Sequence, residues 1–109
     1  MQMATTICGI TRGFPREELY GLTSQIRRSA ISVPSNIAES QGRLTLGETK
    51  HFLGIARGSN FELQTQLEIA RALNFGEPKL IDGAESLSHE VGRMIYGLLE
   101  SMNVESRPH

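Results

Sequence analysis

Residues 78–102 read PKLIDGAESLSHEVGRMIYGLLESM, and their apolar positions recur in steps of four and three. This spacing places one continuous stripe on the side of an α-helix. The stripe comprises Leu80, Ala84, Leu87, Val91, Met94 and Leu98, and it is widened by Ile81, Ile95, Leu99 and Met102. Pro78 stands in the first turn, where its missing N–H costs nothing. The pattern predicts a helix over 78–102.

A second long helix is predicted over 46–74. Thr45 and Glu48 form a capping-box pattern, in which each side chain satisfies a free backbone amide of the first turn. Asn74 and Gly76 suit the C-terminal end of this helix. Its apolar stripe is predicted along Phe52, Ala56, Ser59, Leu63, Gln66 and Ala70.

The preceding half of the chain predicts one long helix and one short helix. Pro34 lies inside the long segment, so we expect a helix over 17–40 that is kinked at this proline. Its apolar face runs along Leu19, Leu22, Ile26, Ala30, Val33 and Ile37. The opening segment, 3–12, forms about three turns at most. Because no segment shows sustained period-two alternation, the predicted fold is all-α, with 1–109 as a single domain. Three long helices and one short helix make an incomplete bundle. We expect either that the short helix covers half of the groove between the long helices or that another subunit covers it.

Composition narrows the class of protein. The chain has 109 residues, of which 39% are hydrophobic and 21% charged, and eleven basic residues stand against twelve acidic ones. These values are typical of a small soluble domain and argue against a strongly basic nucleic-acid binder. No apolar run approaches the ~20 residues of a membrane span. Cys8 is the single cysteine and fits a reducing compartment, and we read no signal peptide, so we expect a cytoplasmic protein with no membrane partner.

The 46–74 helix carries more than one patterned face. Phe61 falls roughly 140° from the predicted core line at 100° per residue, so its ring is expected to point away from the core. Ile55 and Ile69 recur on the same outward half of the helix. A cluster of exposed apolar side chains is typical of an interaction surface. We therefore predict that these three residues form an interface between copies of the chain.

A basic flank on the same helix permits a second interpretation. Lys50, Arg57 and Arg71 recur at multiples of seven residues, which places them on one side of the helix. The full set of candidate phosphate contacts is Arg27, Arg28, Arg43, Lys50, Arg57 and Arg71. Affinity for nucleic acid rises with the number of phosphates neutralised, so this set predicts weak, salt-sensitive binding. The alternative is a solvated face with ordinary surface ion pairs.

The sequence contains only incomplete catalytic and metal-binding patterns. Glu48 and His51 match one half of the carboxylate–histidine pattern of di-iron bundles, but Glu85 and His89 have the wrong spacing for the other half. Cys8 has no orienting neighbour in sequence. We therefore predict no catalytic residue, no metal and no cofactor.

Four polar residues lie near the predicted core lines, namely Gln25, Asn36, Thr65 and Gln66. Buried polar groups need hydrogen-bond partners. We expect these side chains to form an interhelical network that fixes the register of the bundle, with a ligand-binding role as the less favoured alternative.

Two blocks resemble one bacterial family. Residues 20–39 read YGLTSQIRRSAISVPSNIAE, and this run closely resembles a signature of the four-helix-bundle proteins first noticed as products of intervening sequences in 23S ribosomal RNA genes. Phe14-Pro15 and 17–19 are similar to the entry into the family's second helix. The second block comprises Glu48, Phe52-Leu53, Ile55-Ala56, Gly58-Ser59, Glu62-Leu63, Thr65-Gln66-Leu67 and Ile69-Ala70. The resemblance covers 14–75.

The resemblance implies an antiparallel, up-down four-helix bundle that assembles into a ring of five subunits. It also implies relatives that act as accessory proteins of diversity-generating retroelements, where they contact nucleic acid and a reverse transcriptase. No catalytic residue follows from it. The chain departs from the family at Ser40-Gln41, where a glycine is usual, and in the short helix before Phe14. We expect a non-enzymatic homo-oligomeric scaffold that associates with RNA or a nucleoprotein. The alternative is a monomeric, weak nucleic-acid-binding module.

Overall fold

The computed structural model describes residues 2–18 and 21–106, with side chains over 3–18 and 21–103. It contains four α-helices and one 3₁₀ turn, and the described residues contain no β-strand, so the predicted all-α fold is confirmed. The elements are α1 (Gln2–Thr11), a 3₁₀ turn (Arg16–Glu18), α2 (Leu22–Gln41), α3 (Leu46–Ala72) and α4 (Pro78–Ser106).

Helix α2 begins later than the predicted residue 17. The Glu18 carbonyl accepts a hydrogen bond from the Gly21 N–H at 3.1 Å, and the Glu18 carboxylate accepts one from the Leu22 N–H at 3.4 Å. These contacts close a turn before the helix starts. Leu19, which was expected on the apolar face, lies outside the described residues. From Leu22, α2 runs through Pro34 as a single helix to Gln41.

The ends of α3 follow the local signals. The Thr45 Oγ1 accepts a hydrogen bond from the Glu48 N–H at 3.1 Å, as the capping pattern predicted. At the other end, Asn74 and Gly76 both have positive φ, 58° and 77°. This backbone reverses the chain and ends α3 at Ala72 rather than at 74. Helix α4 starts at Pro78 as predicted and continues to Ser106, four residues beyond the predicted end.

The four helices pack in cyclic order. Helix α1 packs against α2 and α4, while α3 packs against α2 and α4. Short connections at 42–45 and 73–77 make consecutive long helices antiparallel. The ten residues of α1 span about 15 Å and the twenty-nine of α4 about 43 Å, so α1 covers only part of the groove between α2 and α4.

The buried stripe of α3 differs from the predicted one at every second position. Its buried residues are Leu53, Ala56, Asn60, Leu63, Leu67 and Ala70, which we call the inner face of α3. Ala56, Leu63 and Ala70 were predicted correctly, and the polar Asn60 hid the rest of the buried pattern in the sequence. The prediction for α4 was partly right. Ala84 of the predicted stripe is buried, as are Ile81 and Ile95, which widen it, whereas Leu80, Met94 and Leu98 are exposed and the polar Ser88 is buried.

The buried polar network differs from the predicted one. Gln25 and Thr65 are exposed, and Gln66 is half-buried. The half-buried Asn36 does join helices as predicted, because its Nδ2 donates to Ser32 Oγ at 3.0 Å and the Ser32 and Ser59 hydroxyls share a hydrogen bond of 2.7 Å between α2 and α3.

The core also contains Asn60 and Ser88. The Ser88 hydroxyl donates a hydrogen bond to Asn60 Oδ1 at 2.7 Å, and Asn60 Nδ2 donates one to the Ser88 carbonyl at 3.0 Å. Gln64 Nε2 donates a third to the Ser88 hydroxyl at 3.0 Å. This network connects α3 to α4, and its members satisfy one another in the low-dielectric interior.

Candidate functional site

The three predicted interface residues all reach solvent from α3. Ile55, Phe61 and Ile69 are 39%, 52% and 45% exposed, which confirms that Phe61 points away from the core of its own chain. Phe61 and Ile69 line one shallow depression together with Gln25 of α2. Ile55 does not line this depression. The three side chains therefore share a surface but not a single pocket, and their role in an interface stays a prediction.

Two glycines lie on the same surface. Gly54 and Gly58 are exposed inside α3, and a Cβ atom added at either position would meet nothing within 4 Å. Glycine inside a helix is less favourable than alanine by about 1 kcal/mol. No packing within the described chain requires glycine at these two positions. We call Gly54, Ile55, Gly58, Phe61 and Ile69 the outer surface of α3.

Of the three candidate phosphate-binding cations that precede α3, two are engaged within the chain. The Arg27 Nε–H donates a hydrogen bond to Thr11 Oγ1 at 2.8 Å and thereby connects α2 to α1. Arg43 forms an ion pair with Glu39 at 2.7 Å, and its guanidinium carbon lies 5.0 Å from the centre of the Phe52 ring. Arg28 is exposed and forms no ion pair among the described residues.

The other three candidates lie on α3. Arg71 bonds two carboxylates of α4, Asp82 at 2.8 Å and Glu85 at 2.9 Å. The hydrogen bond to Glu85 has the larger effect and the one to Asp82 the smaller, and both raise the pKa of the Arg71 guanidinium above its ordinary value. Lys50 is half-buried. Arg57 is exposed, with its guanidinium carbon 5.3 Å from the centre of the Phe61 ring. The structure thus does not bring the six cations together into one site.

A cavity of about 610 Å³ lies between α3 and α4, and we call it the α3–α4 cavity. It is lined by Arg57, Asn60, Phe61, Gln64, His89, Gly92, Arg93 and Tyr96. Nothing in the sequence predicted that His89, Arg93 and Tyr96 lie near Arg57. These residues are more than thirty positions apart from it, and only the packing of α4 on α3 brings them to one place.

The structure places His51 beside an aromatic ring and Cys8 on α1. The His51 ring packs edge-on against Phe52, with the ring centres 5.3 Å apart. Cys8 is a free thiol of intermediate burial on α1. Within residues 2–18 and 21–106, no three or more His, Cys, Asp or Glu side chains are grouped so that they could hold a metal ion. In the same part of the chain, no helix has the length and apolarity needed to cross a bilayer.

Comparison with known proteins assigns a family. A family model described as 23S rRNA-intervening sequence protein matches residues 1–97. The match is longer than the expected 14–75, because it also takes in α1 and most of α4. No curated protein matches the chain.

Proposed function

Since the chain belongs to the family of 23S rRNA-intervening sequence proteins, we propose that it is a non-enzymatic helical-bundle scaffold that self-associates and contacts RNA. The observation that carries self-association is the outer surface of α3. There, exposed apolar side chains alternate with glycines that no packing inside the chain requires. Such a surface favours the close approach of a second backbone.

A closed ring is the form of assembly that we propose. A ring needs two different surfaces on each subunit, because the contact is head-to-tail. The chain offers a second apolar strip on α4, where Leu80, Met94 and Leu98 are 45%, 45% and 39% exposed. We propose that this strip meets the outer surface of α3 of the next subunit. The resemblance implies five subunits.

Ile69→Asp tests self-association. A charge in the middle of an apolar contact is costly to bury, so we expect the variant to run as a smaller species than the parent in size-exclusion chromatography with light scattering. Ile69 is 45% exposed, so the isolated fold tolerates the carboxylate, and an unchanged circular dichroism spectrum checks this.

Ile31→Asp is the matched control, because Ile31 is an isoleucine of α2 that is 54% exposed and lines neither the depression nor the α3–α4 cavity. It is expected to leave the assembly intact. A parent protein that is monomeric at micromolar concentration contradicts the scaffold and supports the alternative of a monomeric nucleic-acid-binding module. The engagement of Arg27, Arg43 and Arg71 within the chain argues against that alternative. The free Cys8 thiol supports a cytoplasmic location.

A further inference from the structure

We infer that the α3–α4 cavity binds a nucleotide unit, with the base against the Tyr96 ring and the phosphate near Arg57 and Arg93. The inference rests on the proposed contact with RNA and identifies where that contact is made. The cavity volume of about 610 Å³ lies within the range of about 300–1,000 Å³ that is usual for small-ligand sites.

The cavity has an uncompensated positive end. Arg57 of α3 and Arg93 of α4 both line it, and neither forms an ion pair among the described residues. Arginine presents a planar set of N–H donors that matches the oxygens of a phosphate group. The two arginines therefore supply positive charge and N–H donors from opposite walls of the cavity.

Two acidic groups lie beyond the end of the cavity that is formed by Gln64 and His89. An adjoining hollow is lined by Glu68 and Glu85 and shares Phe61, Gln64 and His89 with the α3–α4 cavity. Glu85 is neutralised by its ion pair with Arg71. Glu68 lies eleven residues beyond Arg57 along α3, which is about 16 Å. This separation orients the ligand, since a phosphate is favoured at the Arg57 end and disfavoured at the Glu68 end.

An exposed aromatic ring borders the cavity. Tyr96 lines it, is 59% exposed and lies outside the outer surface of α3, so its ring is open to a base. Nucleic-acid bases stack on aromatic rings without needing a particular base sequence.

The inner wall of the cavity is polar and held in place. Asn60 is buried, and its amide is oriented by two hydrogen bonds with Ser88. Gln64 donates one amide hydrogen to the Ser88 hydroxyl, which leaves its Oε1 as an acceptor for a base amine. Gly92 allows α4 to approach Asn60 closely, because an added Cβ would lie 3.2 Å from Asn60 Nδ2.

The test uses the full chain and two probes, a fluorescently labelled single-stranded oligoadenylate RNA and unlabelled AMP. Anisotropy reports binding of the RNA at low salt, and AMP is added as competitor beside adenosine and inorganic phosphate. We expect AMP to displace the RNA at lower concentration than either fragment. Arg57→Gln/Arg93→Gln is expected to weaken both ligands about tenfold, and Tyr96→Ala to weaken them severalfold while Tyr96→Phe does not.

The control is Arg16→Gln/Lys79→Gln, which removes the same charge from two exposed residues outside the cavity and is expected to change affinity by less than about twofold. Equal losses in both double variants overturn the pocket, because the binding is then non-specific attraction. RNA binding that AMP does not compete overturns the pocket and leaves the RNA contact standing. No binding of either probe to the parent overturns both. Loss of assembly in Arg57→Gln/Arg93→Gln, with affinity unchanged, makes the cavity a subunit contact instead.

Discussion

The inner and outer faces of α3 belong to the same helix, but only one of them is covered. On the inner face, Leu63 and Leu67 are completely buried against the rest of the bundle. On the outer surface, Phe61 and Ile69 expose about half of their area, and Gly58 has empty space where a side chain could stand. One helix thus supplies the core on one side and an unoccupied apolar surface on the other. Residues of the inner face hold the fold together, whereas residues of the outer surface are left exposed by it.

The largest expected difference between the faces is in stability. Leu63→Ala leaves a cavity in a fully buried position and is expected to lower the free energy of unfolding by about 2–5 kcal/mol. Ile69→Ala, the outer-surface counterpart, is expected to change it by about 0.5 kcal/mol or less in the isolated chain. Chemical denaturation at several protein concentrations measures both, because an effect that arises from assembly disappears on dilution while a core effect persists. Similar losses for the two variants at high dilution would remove the distinction between the faces.

A smaller effect is expected from the polar position of the inner face. Asn60→Ala deprives the buried Ser88 hydroxyl of its acceptor and is expected to cost about 1–3 kcal/mol. Ser88→Ala removes the other partner. If the pair acts as one network, the double variant is less destabilised than the sum of the single variants, which a double-mutant cycle by denaturation measures. Strict additivity would show that the two groups do not support each other.

The smallest expected effect has opposite signs in the monomer and the assembly. Gly58→Ala should stabilise the isolated chain by about 1 kcal/mol, because alanine favours the helix and nothing in the chain obstructs the new methyl group. If a second backbone packs on the outer surface, the same methyl group weakens the assembly. Gly9→Ala on α1, which is exposed and also meets nothing within 4 Å, is the matched control. Thermal unfolding of dilute protein and light scattering of concentrated protein give the two readouts, and an assembly unaffected by Gly58→Ala speaks against close backbone contact there.

Local patterns predicted much of this architecture. The Thr45 cap, the proline start of α4 and the outward position of Phe61 each depend on residues a few positions apart, so the sequence contains the relevant information. The buried face of α2 at Ile26, Ala30, Val33 and Ile37 was predicted correctly, whereas the buried stripes of α3 and α4 were predicted only in part. Asn60 and Ser88 look like surface residues in sequence, and each becomes a core residue only because the other lies opposite.

The candidate site shows the same division. The basic flank was visible as a period of seven, yet Arg71 is held by Asp82 and Glu85 of α4. Arg57 instead faces Arg93 and Tyr96 across a cavity that no spacing along the chain suggested.

By itself, the sequence determined the helices, their approximate ends and the family, because hydrophobic periodicity and capping act over one or two turns. The tertiary structure decided that the polar residues Asn60 and Ser88 belong to the core, which cations are already paired and where the cavity lies. The contacts of Arg27 and Arg71 and the walls of the cavity join residues more than ten positions apart, and they exist only once the helices have packed.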